Sequence, residues 1–216
     1  MPKKVDHDTR RADIAIAAFR VIGRKGVAGA TIRDIAREIG ISVGAVVHYI
    51  TAKDHILLRA AEYSTFVIRE RMERAERENA GLEALREVVY RGLPSSPEMI
   101  GHWKIWFGFW ELSGRSELIR TALHDRYDES ARRYGRLIRN AQKTGEIPQS
   151  INVKDAAASL NCQIDGIGVH VLISGRELTP AQQRRQIDLW IERMLMGKEP
   201  APLRHLRPSA VQLLPG

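Results

Sequence analysis

Trp103, Trp106 and Trp110 recur at i, i+3 and i+7, which sets three indoles on one helix face, with Phe107 beside them and Glu111 directly after. Aromatic faces near a carboxylate attract a cation, a quaternary ammonium included, through the ring quadrupole. The same stripe also describes packed core, or one wall of an ordinary apolar ligand pocket. Downstream, Asn161, Gln163 and Asp165 interrupt an otherwise apolar run, and buried polar groups must meet a ligand, a facing helix or water. Asp165 reads first as a structural hydrogen-bonding group. Gly166 and Gly168 would let another helix approach closely. The candidate ligand-binding set is Trp103, Trp106, Phe107, Trp110, Glu111, Asn161 and Asp165, and its effector would be a small apolar or cationic molecule.

Catalytic chemistry finds little support. There is no metal-ligand cluster and no glycine-rich phosphate loop. Cys162, the single cysteine, excludes an internal disulfide and a four-cysteine zinc site, and it has no evident base nearby. His7, His102, His124 and His205 are scattered. No catalytic residue, metal or cofactor is expected, and an enzyme is not.

A second chemistry lies near the N-terminus. Residues 1–53 carry ten Lys/Arg against five Asp/Glu, while residues 54–197 carry 21 against 20, so the net charge of +8 is concentrated at one end. That asymmetry suits a polyanion partner. Within it, Thr31 to Tyr49 (TIRDIAREIGISVGAVVHY) has the layout of a helix-turn-helix. Ile35, Ala36 and Ile39 form an inward face, and Gly40 permits the left-handed turn. Ser42 caps the second helix, whose start at Val43, Gly44 and Ala45 is slim enough to approach base edges in the major groove. Thr31, Arg33, Ser42, His48, Tyr49 and Lys53 are placed to meet phosphates, aided by the free N–H groups of the two helix starts.

The elements that must position these residues are helices throughout. Thr9 can cap a first helix with apolar positions Ile14, Ala18, Val21 and Ile22, ending near Lys25–Gly26. Two short helices follow, then a long one from Lys53 to about Glu78, whose second half (Arg69 to Glu78) reads as a solvated charge run. Further helices are expected at about Leu82–Gly92, Glu98–Leu112, Glu117–Thr144, Lys154–Ile173 and Pro180–Met196, with Pro94 to Pro97 as a loop. About nine helices and no strand make an all-α protein. It divides into a DNA-binding domain at 1–53, a ligand-binding and dimerisation domain at 54–197, and a proline-rich tail at 198–216 that reads as poorly ordered.

Ala156 to Gly175 lacks Lys, Arg and Glu, but Asn161, Gln163, Asp165 and His170 would be costly in lipid, so a protein-buried helix is expected there and no membrane partner. With no secretory segment at the start, a cytoplasmic location fits. Ile187, Trp190, Ile191, Met194 and Leu195 give the last helix a broad apolar stripe, which a homodimer or the chain's own core would cover.

The run from Ile14, Ala17, Ala18 and Phe19 through Gly26, Thr31, Ile35, Ala36, Gly40, Ser42, Gly44 and Tyr49 to Lys53 resembles the N-terminal domain of TetR-family regulators. The resemblance implies that the third helix enters the major groove and that the start of the fourth contacts the DNA backbone. Two positions depart from the pattern: Val47 stands where an aromatic reaching phosphate is common, and Ile50 where phenylalanine is usual. Residues 99–196 resemble, more loosely, the C-terminal domain of betaine-inhibitor-type, choline-responsive repressors of that family, through Trp106 to Trp110, Ile164–Asp165–Gly166 and Ser174–Gly175. This implies a regulatory dimer paired through its last two helices; it does not transfer choline as the ligand. Together these readings lead to a ligand-gated repressor, a homodimer on a palindromic double-stranded DNA operator. An activator or a ligandless regulator of the same fold is the alternative.

Overall fold

The structure, a computed structural model, describes residues 7–50, 52–173 and 178–197, together with the backbone but not the side chain of Lys53. The expected tail at 198–216 and the Ser174–Gly175 turn lie outside the described residues, as does the side chain of Lys53. Among the described residues there are nine α-helices and no strand.

The chain opens with α1 (His7–Gly29), already helical two residues before Thr9, and Gly26 breaks its line with φ 71° and ψ 170°. In α2 (Ile32–Ile39), Thr31 accepts the Asp34 amide, and Gly40 ends the helix in the left-handed region. Ser42 caps α3 (Val43–Val47) by accepting the Ala45 amide. The long α4 (Lys53–Glu78) then leads to α5 (Gly81–Gly92), α6 (Pro97–Ser113), α7 (Glu117–Lys143), α8 (Val153–Ile173) and α9 (Pro180–Trp190). A π-helical turn over Ile191–Leu195 finishes α9. Ser96, Ser116 and Thr179 cap α6, α7 and α9.

Burial sorts the chain into two apolar clusters. One gathers Ile14, Ala18, Ile35, Val46 and Ile50 with Leu57 of α4, but it also takes Ile105 and Phe109 from α6 and Ile119 from α7. The head's packing therefore runs past residue 53. The other joins α5, α7, α8 and α9 through Leu85, Val88, Ile138, Leu160, Ile187 and Trp190. Helix α6 is the seam: Trp103 belongs to the second cluster, Trp106 to the first, and Trp110 packs on both.

One alternative left open is decided, and one expectation needs correction. The stripe on the last helix is buried within the chain, since Ile187, Trp190, Ile191 and Leu195 are all covered and only Met194 is exposed. The run Arg69 to Glu78 is not simply solvated: Ala75 is buried, Met72 packs against the second cluster, and Glu76 accepts from both Arg133 and Arg136 of α7. The apolar positions Ile68, Met72 and Ala75 lie at i, i+4 and i+7, an inward face hidden among charges.

Candidate nucleic-acid interface and ligand chamber

The reading head is built by short-range bonds. Thr31 accepts the Asp34 amide at 3.2 Å, and Asp34 takes Lys25 Nζ at 2.6 Å, so that this carboxyl is held below the usual range first by Lys25 and then by Thr31. Arg24 bonds Glu38, which with the Lys25–Asp34 pair ties α1 to α2, while Arg37 lies near Asp34 within α2. Several of the cations behind the basic N-terminal balance are thus spent inside the head, whereas Arg33 is exposed and forms no ion pair among the described residues. Val46 is fully buried and anchors α3, which turns Val43, Gly44, Ala45 and Val47 outward; Val43 and Val47 are 42% and 43% exposed. Exposed valines of this size on a five-residue helix leave an apolar, slim leading edge. His48 is exposed, and Tyr49 is half-buried with its hydroxyl 2.8 Å from His7 Nδ1. His7 was not singled out from the sequence for this interface, because nothing in the chain pattern links it to a residue 42 positions away.

Thr31, Arg33, Ser42, Val43, Gly44, Ala45 and His48 are all exposed and Tyr49 is half-buried, on the packed pair α2 and α3 and the turns beside them, and α4 begins four residues after Tyr49. Ile50, in the phenylalanine position, is fully buried in the head's core.

The candidate ligand residues separate. Trp103 and Trp106 line an inner chamber of about 90 Å³ between α4, α6, α7 and α8. Trp103 donates its Nε1–H to the Gly92 carbonyl at 2.9 Å and lies flat against α8, where a Cβ on Gly168 would fall 1.8 Å from the indole. That contact explains the glycine. Trp110 and Asp165 sit instead on a shallow outer groove with Tyr127. There Trp110 donates to the Tyr127 hydroxyl at 2.9 Å, and that hydroxyl donates to Asp165 at 2.6 Å. Burial raises the Asp165 carboxyl, and burial with the Asp165 bond pushes Tyr127 up to about 12. Asn161 accepts from Ser130 at 2.9 Å. Phe107 packs edge-on against Trp110, and Glu111 is exposed; neither lines a cavity among those found over the described residues.

A single cage of three indoles and Glu111 is therefore not formed. The reason is helix geometry at a seam: positions 103 and 110 point almost the same way, about 20° apart, but stand about 10 Å apart along α6, so Trp103 reaches the chamber and Trp110 the outer groove. The guanidinium of Arg126 already covers the Trp106 ring, 4.4 Å from its centroid.

What the sequence reading missed is the other half of the chamber wall. Thr65, Arg69 and Met72 come from α4, and Arg126, Glu129 and Tyr134 from α7. An outer vestibule of about 710 Å³ shares Thr65, Arg69, Trp106, Arg126 and Glu129 with the chamber; these five residues, which border both spaces, are referred to as the neck. The head reaches this region through α6. His102 is buried, its Nδ1 2.9 Å from Ser64 Oγ and its ring 4.6 Å from that of Phe19. Lys104 donates to the Gly23 carbonyl at 3.2 Å, and a Cβ on Gly108 would fall 2.4 Å from Val27.

Comparison with known proteins agrees with this geometry. Residues 81–196 match the family described as BetI-type transcriptional repressor, C-terminal, and residues 14–60 match the bacterial regulatory proteins of the tetR family. The chain is 28% identical over 193 residues to the HTH-type transcriptional regulator PksA of Bacillus subtilis (strain 168), covering 89% of this chain and 93% of that protein. It is 26% identical over 204 residues to the HTH-type transcriptional regulator BetI of Paraburkholderia xenovorans (strain LB400), covering 92% and 100%. A transcriptional regulator from Saccharomonospora viridis, crystallised in complex with choline, superposes with a TM-score of 0.79 at 27% identity, over 88% of this chain and 98% of that one.

Proposed function

Because the chain belongs to the TetR family of transcriptional regulators, with a BetI-type C-terminal half, we propose that it is a ligand-released repressor acting as a homodimer on a palindromic operator in the cytoplasm. It is a DNA-binding regulator and not an enzyme, as its family and relatives are. The observation that carries the proposal is the outward-facing start of α3, held up by the buried Val46 and the Ser42 cap.

In this reading residues 1–53 read DNA and residues 54–197 bind the effector and pair the subunits. Val43, Gly44 and Ala45 approach base edges, while Thr31, Arg33, Ser42, His48, Tyr49 and Lys53 contact phosphates. With so few hydrogen-bonding groups at the leading edge, DNA shape contributes to specificity. Pairing is supported by α8. Its ridge Ala158, Cys162, Gly166 and His170 is exposed, as is Ile173, although the helix is long and apolar enough to cross a membrane and only 33% of its most apolar window is buried. Asn161, Gln163 and Asp165 argue against lipid, and a second copy of the helix would cover the ridge. Two-fold pairing would set the two α3 helices about one duplex turn apart, roughly 34–36 Å.

Release follows from the seam. A small molecule in the chamber presses on α4 and on Trp103 and Trp106 of α6, both of which enter the head's packing. Binding that favours one setting of these helices shifts the population away from operator spacing. The choline bound by the Saccharomonospora viridis regulator supports a small-molecule effector for this chain. The test is a gel-shift titration with the DNA upstream of the coding region at low salt, paired with a solution mass. A dimer retained on an inverted repeat is expected. A monomeric mass, or no retention at any salt, overturns the reading.

A further inference from the structure

We infer that the inner chamber takes an organic monocarboxylate with a compact apolar body, its carboxylate held at the neck by Arg126. This rests on reading the chamber as the effector site. Three guanidinium groups line it, from Arg69, Arg126 and Arg133, against the single carboxylate of Glu129. Two of the three are already matched. Arg69 bridges to Glu129 at 2.8 Å, and Arg133 to Glu76 at 2.7 Å. Arg126 forms no ion pair among the described residues; it rests on the rings of Trp106 and Tyr127, at 4.4 and 5.4 Å. A second donor is idle beside it. Trp106 is 6% exposed, and its Nε1–H is buried without a hydrogen-bond partner.

A cationic headgroup meets the wrong field here. It would have to displace Arg126 from the indole face and then sit among guanidinium groups whose nearby carboxylates are already engaged, Glu129 by Arg69, Glu76 by Arg133 and Asp165 by the Tyr127 hydroxyl. A carboxylate instead supplies the acceptor that Arg126 and the Trp106 N–H lack, and a charge-assisted bond from guanidinium is among the stronger ones available. The remaining lining settles the rest of the ligand. Ile68, Met72, Trp103, Tyr134 and Ile164 make an apolar pocket on the far side of the neck. Burial pushes the Tyr134 hydroxyl up to about 12, so this wall stays neutral. At about 90 Å³ the chamber holds the volume of roughly three waters at about 30 Å³ each, so a longer apolar body must extend back into the vestibule.

The experiment uses the full chain and reads the emission of its tryptophans, three of which lie on α6. Butyrate, phenylacetate, octanoate, phenylacetamide and choline are titrated in turn, each also added to the operator gel shift. At least one of the three acids is expected to bind, with phenylacetate at least about tenfold tighter than its uncharged amide and than choline. Arg126→Gln should weaken acid binding about tenfold or more while leaving the helical spectrum unchanged. Equal binding of amide and acid, tighter binding of choline, no acid binding at about 10 mM (a Kd weaker than any useful effector), or an unaffected Arg126→Gln variant each overturns the assignment. If Arg126→Gln unfolds, Trp106→Phe, which removes only the idle N–H and part of the ring, must still weaken acid binding severalfold. Release of the operator by choline alone would overturn the acid while leaving gating intact; loss of operator binding altogether strikes the gating reading instead.

Discussion

The reading head and the ligand chamber are helical packings within one chain, yet their functional groups are positioned over very different distances in sequence. In the head, Ser42 caps Ala45 and Thr31 caps Asp34, each across three residues, and Gly40 turns the chain in between. In the chamber, Arg69 meets Glu129 across 60 residues, Arg133 meets Glu76 across 57, and Ser130 meets Asn161 across 31. A surface meant to fit a fixed external shape can be set by local rules. A cavity must be assembled from helices that are distant in sequence, so its chemistry exists only once they dock. His102, between Phe19, Ser64 and the rest of α6, is where the two kinds of construction meet.

The sharpest way to separate the regions is Gly44→Glu. A Cβ there meets only Ser42 Oγ, at 3.9 Å, and the position is exposed, so folding should be unaffected. Its carboxylate would face phosphates, and operator affinity should fall by about two orders of magnitude, roughly 3 kcal/mol, in a gel shift. Acid binding in the chamber should not change. A smaller effect is expected at the joint. Burial lowers His102 from 6.5 to about 4, so the native ring is neutral while the unfolded chain takes up a proton as pH falls below 6.5. Stability is therefore full above about pH 7 and declines toward pH 4, by about 1 kcal/mol per unit from this group. Urea midpoints across that window should show the slope, and His102→Gln should flatten it.

Gly168→Ala breaks the chamber from the opposite side. The new methyl overlaps the rigid Trp103 ring and must dislodge its bond to Gly92, which should cost about 1–3 kcal/mol in urea unfolding and shift tryptophan emission. Operator affinity without ligand should be near normal; a large loss would mean that the chamber and the head are one rigid unit. The smallest effect expected is that of Ser42→Ala, about 1 kcal/mol of stability with a severalfold loss of DNA affinity. If it weakens acid binding equally, the two regions are not separable.

The head was legible because its signals are local. Caps, the Gly40 turn, the inward Ile35 and Ala36, and the small residues leading α3 all report on neighbours within one or two helical turns. The helix limits elsewhere fell within about three residues of those expected, and the caps Ser96, Ser116 and Thr179 that set three of them are local signals of the same kind. The ligand residues were not. The stripe of Trp103, Trp106 and Trp110 marked one face of α6 but not its fate, since only docking assigns Trp103 and Trp106 to the chamber and Trp110 to an outer groove. The charges of α4 and α7 concealed Met72, Ala75, Glu129 and Tyr134, because a charge run gives no sign that its carboxylates point at another helix.

Sequence by itself determined an all-helical chain, most of its helix limits to within about three residues, and a head whose outward residues are set by caps and a left-handed turn, because each of these depends on backbone hydrogen bonds and side-chain size within a few positions. Tertiary structure alone decided that the last helix spends its apolar stripe inward, that Gly168 exists to admit Trp103, and that Arg126 rather than a ligand covers Trp106. Those outcomes depend on which helices lie beside one another, and the field inside a cavity is the sum of charges brought there from distant stretches of chain.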